Sequence, residues 1–321
     1  MIEGSRITYL DGWRGLAILT VLAGHFGHFV PQLGNLGVEL FFVLSGRLMA
    51  QILFEKRTPL PTFFQRRFSR VYPALAVYVL VMSALALTVN RGRGVDALSI
   101  ATSLTFTINY MPALGHDLAG AVEHIWSLCV EEHCYALLAL IGVVTGRRIG
   151  MVRPICFAFA GAAMLNGLRL YLGGAGGVHE IYWRTDVRLA PVFLSVALYL
   201  SKPGKFGFPA LVLSFPLFLV LPLPLRFIIP TGMLAYSVNS IGRSEWAKFL
   251  SHPALVWIGT ISYSLYLWQQ PFYQLGHGKA FGMVPAFVMA VLSYKVVEVP
   301  ARAAINRLTL FSPAALSAGK P

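Results

Sequence analysis

The sequence predicts an all-α fold, a polytopic helix bundle embedded in a membrane, and three observations carry that prediction. Hydrophobic residues make up 56% of the 321-residue chain and charged residues only 12%, against about 25% charged in a soluble domain. The apolar residues fall into long blocks, not into the short alternating segments of a membrane barrel. The 26 Lys and Arg, twice the 13 Asp and Glu, sit in short clusters between those blocks, the pattern that orients helical membrane proteins. The formal charge of +13 is thereby explained without a nucleic-acid partner, and the composition excludes both a water-soluble globule and a disordered chain.

A helix needs about 20 apolar residues to cross the hydrocarbon core. Ten blocks approach that length, at 13–30, 36–54, 72–89, 125–145, 151–172, 187–201, 206–222, 225–242, 256–275 and 280–298. The first lacks a small-residue cleavage site and reads as an uncleaved span. The stretch 97–111 is rich in Ser and Thr and ends at Asn109 and Pro112. Reading it as re-entrant or interfacial keeps the clusters Arg66, Arg67, Arg70 and Arg147, Arg148, Arg153 on the cytoplasmic side, with both termini. The opposite loops then hold only Arg91, Arg93, Arg184, Arg188, Arg226 and Lys279. Residues 1–321 read as a single membrane domain with no appended soluble domain. Cys129, Cys134 and Cys156 lie inside apolar blocks and read as packing residues.

Ionisable residues within a span are costly and mark functional sites. The first block holds Arg14 and His25, eleven residues apart. At 100° and 1.5 Å per residue, they share a helix face and stand about 16 Å apart along the axis. Glu39 opens the second block. With a turn near Leu33, His25 lies eight residues before it and Glu39 six after it, so an antiparallel hairpin sets both at similar depth. A carboxylate beside an imidazole can fix its tautomer and stabilise the imidazolium, as a general base requires. The same residues would serve equally as a structural pair or as a proton relay in a transporter of a sugar or lipid precursor.

Several segments, in order along the chain, carry a resemblance. They are Tyr9-Leu10-Asp11-Gly12-Trp13-Arg14-Gly15-Leu16-Ala17 with an Arg-x10-His spacing from Arg14 to His25, and Gly37-Val38-Glu39-Leu40-Phe41-Phe42-Val43-Leu44-Ser45-Gly46. Then come Arg66-Arg67-Phe68-Ser69-Arg70-Val71-Tyr72-Pro73, His124-Ile125-Trp126-Ser127-Leu128-Cys129-Val130-Glu131-Glu132, Ile261-Ser262-Tyr263-Ser264-Leu265-Tyr266-Leu267-Trp268 and Glu298-Val299-Pro300. Together they resemble the membrane acyltransferase-3 family, bacterial O-acyltransferases that decorate cell-surface glycans. Arg47 stands where that family usually has an apolar residue, His133 and Cys134 where it has glutamine and an aromatic, and Gln269 where histidine is common.

The resemblance implies a bacterial inner-membrane enzyme that moves an acyl group, acetyl first among the candidates, from cytoplasmic acetyl-CoA or another acyl-CoA. The acceptor it implies is a hydroxyl of a glycan, glycolipid or small molecule at the other face. On that reading His25 is the general base, oriented by Glu39, and Arg14 meets the donor. Arg67 and Arg70, three apart, suit the donor's phosphates because a guanidinium binds phosphate bidentately; positive-inside topology is the competing explanation. Ser127 and Glu131 share a helix face and are expected at the acceptor entrance with Trp126, Tyr263 and Tyr266, although aromatic residues on a helix face also serve as packing. Arg47 is expected to turn toward Glu55 or the donor, and Glu298 to pair with Arg302. His28, His252 and His277 read as interfacial or loop residues. No His, Cys or carboxylate spacing suggests a metal. The sequence does not specify an oligomeric state.

Overall fold

The protein, seen as a computed structural model, is described over residues 7–27, 30–89, 95–118, 120–204, 206–241, 245–275 and 280–308. His28, His277, Arg91, Arg93 and Lys279 lie outside these residues. Among the described residues, all regular structure is helical. The long helices are α1 (Thr8–Phe26), α2 (Gln32–Met49, continued by a π turn at Ala50–Glu55), α3 (Leu60–Val89), α4 (Ala97–Leu104), α5 (Trp126–Val144), α6 (Ile149–Leu172), α7 (Ala190–Ser201), α8 (Gly207–Val220), α9 (Ile229–Ser240), α10 (Pro253–Leu275), α11 (Met283–Ser293) and α12 (Val299–Arg307). A second π turn, Tyr294–Glu298, joins the last two. Together they form a multi-pass membrane bundle.

Five helical stretches are long and apolar enough to cross a bilayer by length and composition: Gln32–Glu55, Leu60–Ala86, Gly120–Val144, Ile149–Leu172 and Ala280–Arg307. The 19-residue α1 and the 23-residue α10 carry more polar side chains because they face the interior; Tyr263, Ser264, Gln269 and Gln270 on α10 are all buried. In the middle of the chain the expected blocks 187–201, 206–222 and 225–242 become shorter helices. The 12 residues of α7 rise only about 18 Å. Single turns at Thr185–Arg188 and Leu223–Arg226 lead into α7 and α9, so the chain bends where a straight span was expected. The 97–111 stretch contributes the eight-residue α4, which rises about 12 Å and cannot cross the bilayer. Asp96 caps it by accepting from the Ser99 amide at 2.8 Å, and the Ser99 side chain together with that amide holds its carboxyl below the ordinary value.

Glycines set the packing around α1. A Cβ built on Gly24 would lie 2.1 Å from the Gly34 nitrogen of α2, and one on Gly37 would lie 2.6 Å from the Ala17 oxygen. On the other side of α1, a Cβ on Gly15 would stand 2.3 Å from the Leu255 oxygen and one on Gly259 1.8 Å from the Asp11 oxygen. Lipid offers no hydrophobic drive between helices, so close backbone approach through small residues supplies the contact. As a result α1 is clamped between α2 and α10, and side chains of all three converge near its C-terminal end. Gly46 does the same for α2 against α7, at 2.1 Å from the Val192 oxygen. The three cysteines are buried and free, in keeping with a packing role.

Gly24→Ala must push α1 and α2 apart, an overpacking cost of about 1–3 kcal/mol or more, whereas Gly161 has open space around it and tolerates Ala with a gain of up to about 1 kcal/mol. Thermal unfolding in detergent checks this: Gly24→Ala lowers the midpoint and Gly161→Ala does not. Equal midpoints would contradict the glycine crossing.

Candidate active site

Three cavities follow one another along α1 and α2. The first, about 320 Å³, is lined by His25, His124, Glu123, Trp126, Arg188 and Tyr266 among others. The second is a neck of about 50 Å³ bounded by Arg14, Ser127, Glu131, Ser262 and Tyr266. The third, about 400 Å³, is bordered by Arg14, Lys56, Arg66, Arg67 and Arg70 against one carboxylate, Glu131. Val38 and Tyr266 wall both the first and the neck, and Arg14, Phe41, Arg67, Arg70 and Glu131 wall both the neck and the third. The helix face shared by Arg14 and His25 thus runs from a cationic chamber to a histidine chamber.

His25 is held by a chain of amides. The Gly120 carbonyl can only accept, and the Gln270 amide nitrogen donates to it at 3.1 Å. The Gln270 side-chain oxygen then accepts from the Gln269 amide nitrogen at 3.4 Å. That leaves the Gln269 oxygen facing His25 Nδ1 at 2.6 Å. An amide oxygen has no proton to give, so Nδ1 carries the hydrogen and Nε2 keeps the lone pair. The ring stacks on Tyr273, with centroids 4.6 Å apart and planes at 20°. Gly34 faces Nε2, where even a methyl group would stand 3.3 Å away; glycine at this position leaves the basic nitrogen room.

Glu39 does not orient His25, as the sequence had suggested. It is fully buried, and its oxygens accept from Arg188 and Thr231. The hairpin does not set the two residues level: Gly34 stands beside His25 and Gly37 against Ala17 and Val21, so Glu39 lies about 7 Å further along the axis and turns toward α9 and the Thr185–Arg188 turn. Arg188, read as a loop cation, is itself 2% exposed and stacks over Phe227 at 4.4 Å. Removing one partner of such a buried pair costs about 3–5 kcal/mol, so Glu39 holds the wall of the histidine chamber rather than the base.

Arg67 and Glu131 also differ from expectation. Arg67 donates to Glu131 at 2.8 Å and to Glu132 at 2.6 Å and lies over Tyr135 at 4.4 Å. Two carboxylates therefore occupy the fork that was assigned to donor phosphates. Glu131 also accepts from Ser45 at 2.7 Å and Tyr135 at 3.0 Å, which places it at the neck and the cationic chamber instead of an acceptor entrance. Among the described residues Arg14, Arg66 and Arg70 have no salt-bridge partner. Trp126 lines the histidine chamber, where it stacks on Trp183. Ser127 and Tyr266 share a hydroxyl bond of 2.8 Å at the neck. Tyr263 borders the neck, but its hydroxyl is spent on the Val71 carbonyl at 2.7 Å.

Arg47 turns from Glu55 to the Tyr9 hydroxyl at 2.5 Å and Asn239 at 3.4 Å, because Tyr199 takes Glu55. Glu298 meets Arg302 at 3.8 Å and Ser264 at 3.1 Å. His252 is an exposed loop residue that accepts from the Ala254 amide. Sequence reasoning passed over His124, which lines the histidine chamber, and Gln269, which holds His25 from behind it. Gln269 carried a signal, since it stands out against the family pattern; His124 carried only its place beside Trp126.

The family whose description reads acyltransferase domain matches residues 7–292, and the chain belongs to that family. It is 27% identical to the peptidoglycan O-acetyltransferase OatA of Listeria monocytogenes over 91% of this chain and 55% of that protein. It is 25% identical to the O-acetyltransferase OatA of Staphylococcus aureus, again over 91% of this chain and 57% of that protein. The chain thus spans little more than half the length of the curated relatives it matches. No solved structure matches it.

Nitrogen NMR of ring-labelled histidine tests the amide chain. The wild-type protein is expected to show His25 as the Nδ1–H tautomer, and Gln269→Leu a mixture of both. A wild-type Nε2–H tautomer would contradict the arrangement.

Proposed function

We propose that the chain is a membrane O-acyltransferase that carries an acyl group, acetyl in the simplest case, from acyl-CoA to a sugar hydroxyl. The observation that supports this most is His25 Nε2: a basic nitrogen of a half-buried ring whose tautomer is set by Gln269, in a chamber whose far side leads through a narrow neck to a cationic one. Coenzyme A is phosphate-rich, and a chamber with five cationic side chains against one carboxylate suits it. Arg14, Arg66 and Arg70 are the residues for its phosphates; Arg67, neutralised by Glu131 and Glu132, frames the passage. The positive-inside rule puts that chamber on the cytoplasmic side of the bacterial inner membrane, with both termini there. The histidine chamber then opens to the outer face. Its acceptor is an amino-sugar glycan, a reading supported by the peptidoglycan O-acetyltransferase of Listeria among the relatives. Membership of an acyltransferase family favours this over proton-coupled transport, which buried His, Glu and Arg would also serve.

In the reaction the acceptor hydroxyl lies against His25 Nε2. As its oxygen attacks the thioester carbon, its proton passes to Nε2, and the Nδ1–H bond to Gln269 keeps the ring in line. The C–S bond breaks, the proton moves from Nε2 to the leaving sulfur, and the products are the acyl ester and free thiol. A positioned base of this kind contributes about 10²–10⁴-fold. Gln269 is neutral, so it orients the imidazole without adding a negative charge behind it. Trp126 and Tyr266 supply aromatic edges for a sugar ring, and Ser127 a hydroxyl at the neck.

Transfer of labelled acetyl from acetyl-CoA to N-acetylglucosamine oligomers by the full chain in detergent or vesicles tests this. His25→Ala is expected to lose at least about 100-fold in kcat while remaining folded. Arg70→Lys is expected to raise the donor KM about tenfold, since a point charge replaces a bidentate fork. A folded His25→Ala protein with unchanged turnover would defeat the proposal.

A further inference from the structure

His124 lies on the turn between Gly120–Glu123 and α5 and borders the same chamber as His25. It is 5% exposed, and neither ring nitrogen has a hydrogen-bond partner. Among the described residues it is the one side chain with two buried polar atoms that both lack a partner. The Leu267 carbonyl lies near the ring but outside hydrogen-bond geometry, and His25 is within electrostatic range. Buried polar groups are ordinarily satisfied, and one that is not calls for an explanation.

The surroundings fix the ring's place and keep it neutral. It stands between Tyr78, edge-on at 5.4 Å, and Tyr266, tilted at 5.4 Å. Its backbone oxygen accepts from the Tyr266 hydroxyl at 2.9 Å, which ties the turn to α10 at the neck. No carboxylate pairs with it among the described residues, and Glu123 on the same wall faces His179 at 3.9 Å. A neutral imidazole in such a place makes a poor acid, because losing its proton would leave an imidazolate. It makes a good N–H donor to a charge that develops on a neighbouring oxygen, the role a neutral histidine plays toward a carbonyl in other enzymes.

We infer that His124 is a second catalytic residue of this chamber, a neutral imidazole whose N–H donates to the acyl oxygen as it becomes an oxyanion. The inference rests on the acyl transfer proposed above. No proton changes owner at His124: the acceptor proton travels by way of His25 to sulfur, and the His124 N–H bond strengthens only while the tetrahedral oxygen is charged. Both nitrogens are covered, so the donor is exposed by a turn of the ring or a shift of Tyr266 when the thioester comes through the neck. Once turned into place, an oxyanion donor of this type is worth about 10²–10³ in kcat.

Two variants of the full chain separate this role from a structural one. His124→Phe keeps a flat ring between Tyr78 and Tyr266 and removes the unpartnered nitrogens; its thermal midpoint is expected to equal or exceed that of the wild type. Its kcat for acetyl transfer is expected to fall at least about 100-fold, with the donor KM within about threefold. His124→Gln restores an N–H donor that cannot act as a nucleophile or base, and is expected to recover at least tenfold over Phe. A Phe variant within threefold of wild-type turnover overturns the inference, as does a Gln variant no better than Phe. A wild-type protein that transfers no acetyl group overturns the proposed function and this assignment together, whereas an active Phe variant overturns this assignment alone.

Discussion

The hydrogen bond from His25 Nδ1 to the Gln269 side-chain oxygen, 2.6 Å long, is the interaction on which the candidate site depends. It decides which nitrogen is basic, and that nitrogen is the one facing the chamber. It also spans 244 residues of sequence, so it exists only because α1 and α10 run close together. Gly15 and Gly259 allow that approach on one side of α1, and Gly24, Gly34 and Gly37 allow the approach of α2 on the other. The packing and the chemistry are thus one constraint: a methyl group at a crossing point would move the imidazole away from its amide.

Charge is divided along the same axis. At one end five cationic side chains face a single carboxylate, a composition that draws in a polyanion. At the other, the ions are already matched: the buried Arg188 with Glu39, and the half-exposed Arg184 with Asp186 at 2.8 Å. The intervening neck is narrow and lined by hydroxyls, with Ser127 bonded to Tyr266. On the proposed reading, an anionic carrier binds at the cationic end and passes only its reactive group toward the histidine. Glu131 and Glu132 pair with Arg67 beside the neck, whereas Arg14, Arg66 and Arg70 form no salt bridge among the described residues.

Much of this was legible in the sequence. Long apolar blocks specify a helix bundle because lipid leaves the backbone no other way to satisfy its polar groups. Helix periodicity placed Arg14 and His25 on one face, and they line successive chambers. Other features were beyond the reach of one-dimensional reasoning. Hairpin arithmetic gave neither the depth of Glu39, which follows the level of Gly37 against Ala17 and Val21, nor its phase around α2, and its partners Arg188 and Thr231 come from elements more than 140 residues away. Arg188 looked like a loop charge because the turn that buries it, Thr185–Arg188, precedes α7 instead of belonging to a straight span. Gln269 was visible as a deviation from the family pattern, yet only the folded chain of amides from Gly120 gives it a role. The pairing of Arg67 with the two carboxylates of α5 was not foreseen, because residues 64 and 65 positions apart in sequence meet only in the folded bundle.

The central claim is that one tunnel joins donor and acceptor from opposite faces at a single imidazole. Purified protein in sealed vesicles of uniform orientation tests it most directly, with labelled acetyl-CoA confined to one side and N-acetylglucosamine oligomers to the other. The account predicts label on the sugar only when the donor meets the Arg14–Arg70 face and the acceptor meets the His25 face. Transfer with the compartments exchanged, or equal transfer with both substrates on the His25 face alone, would contradict it.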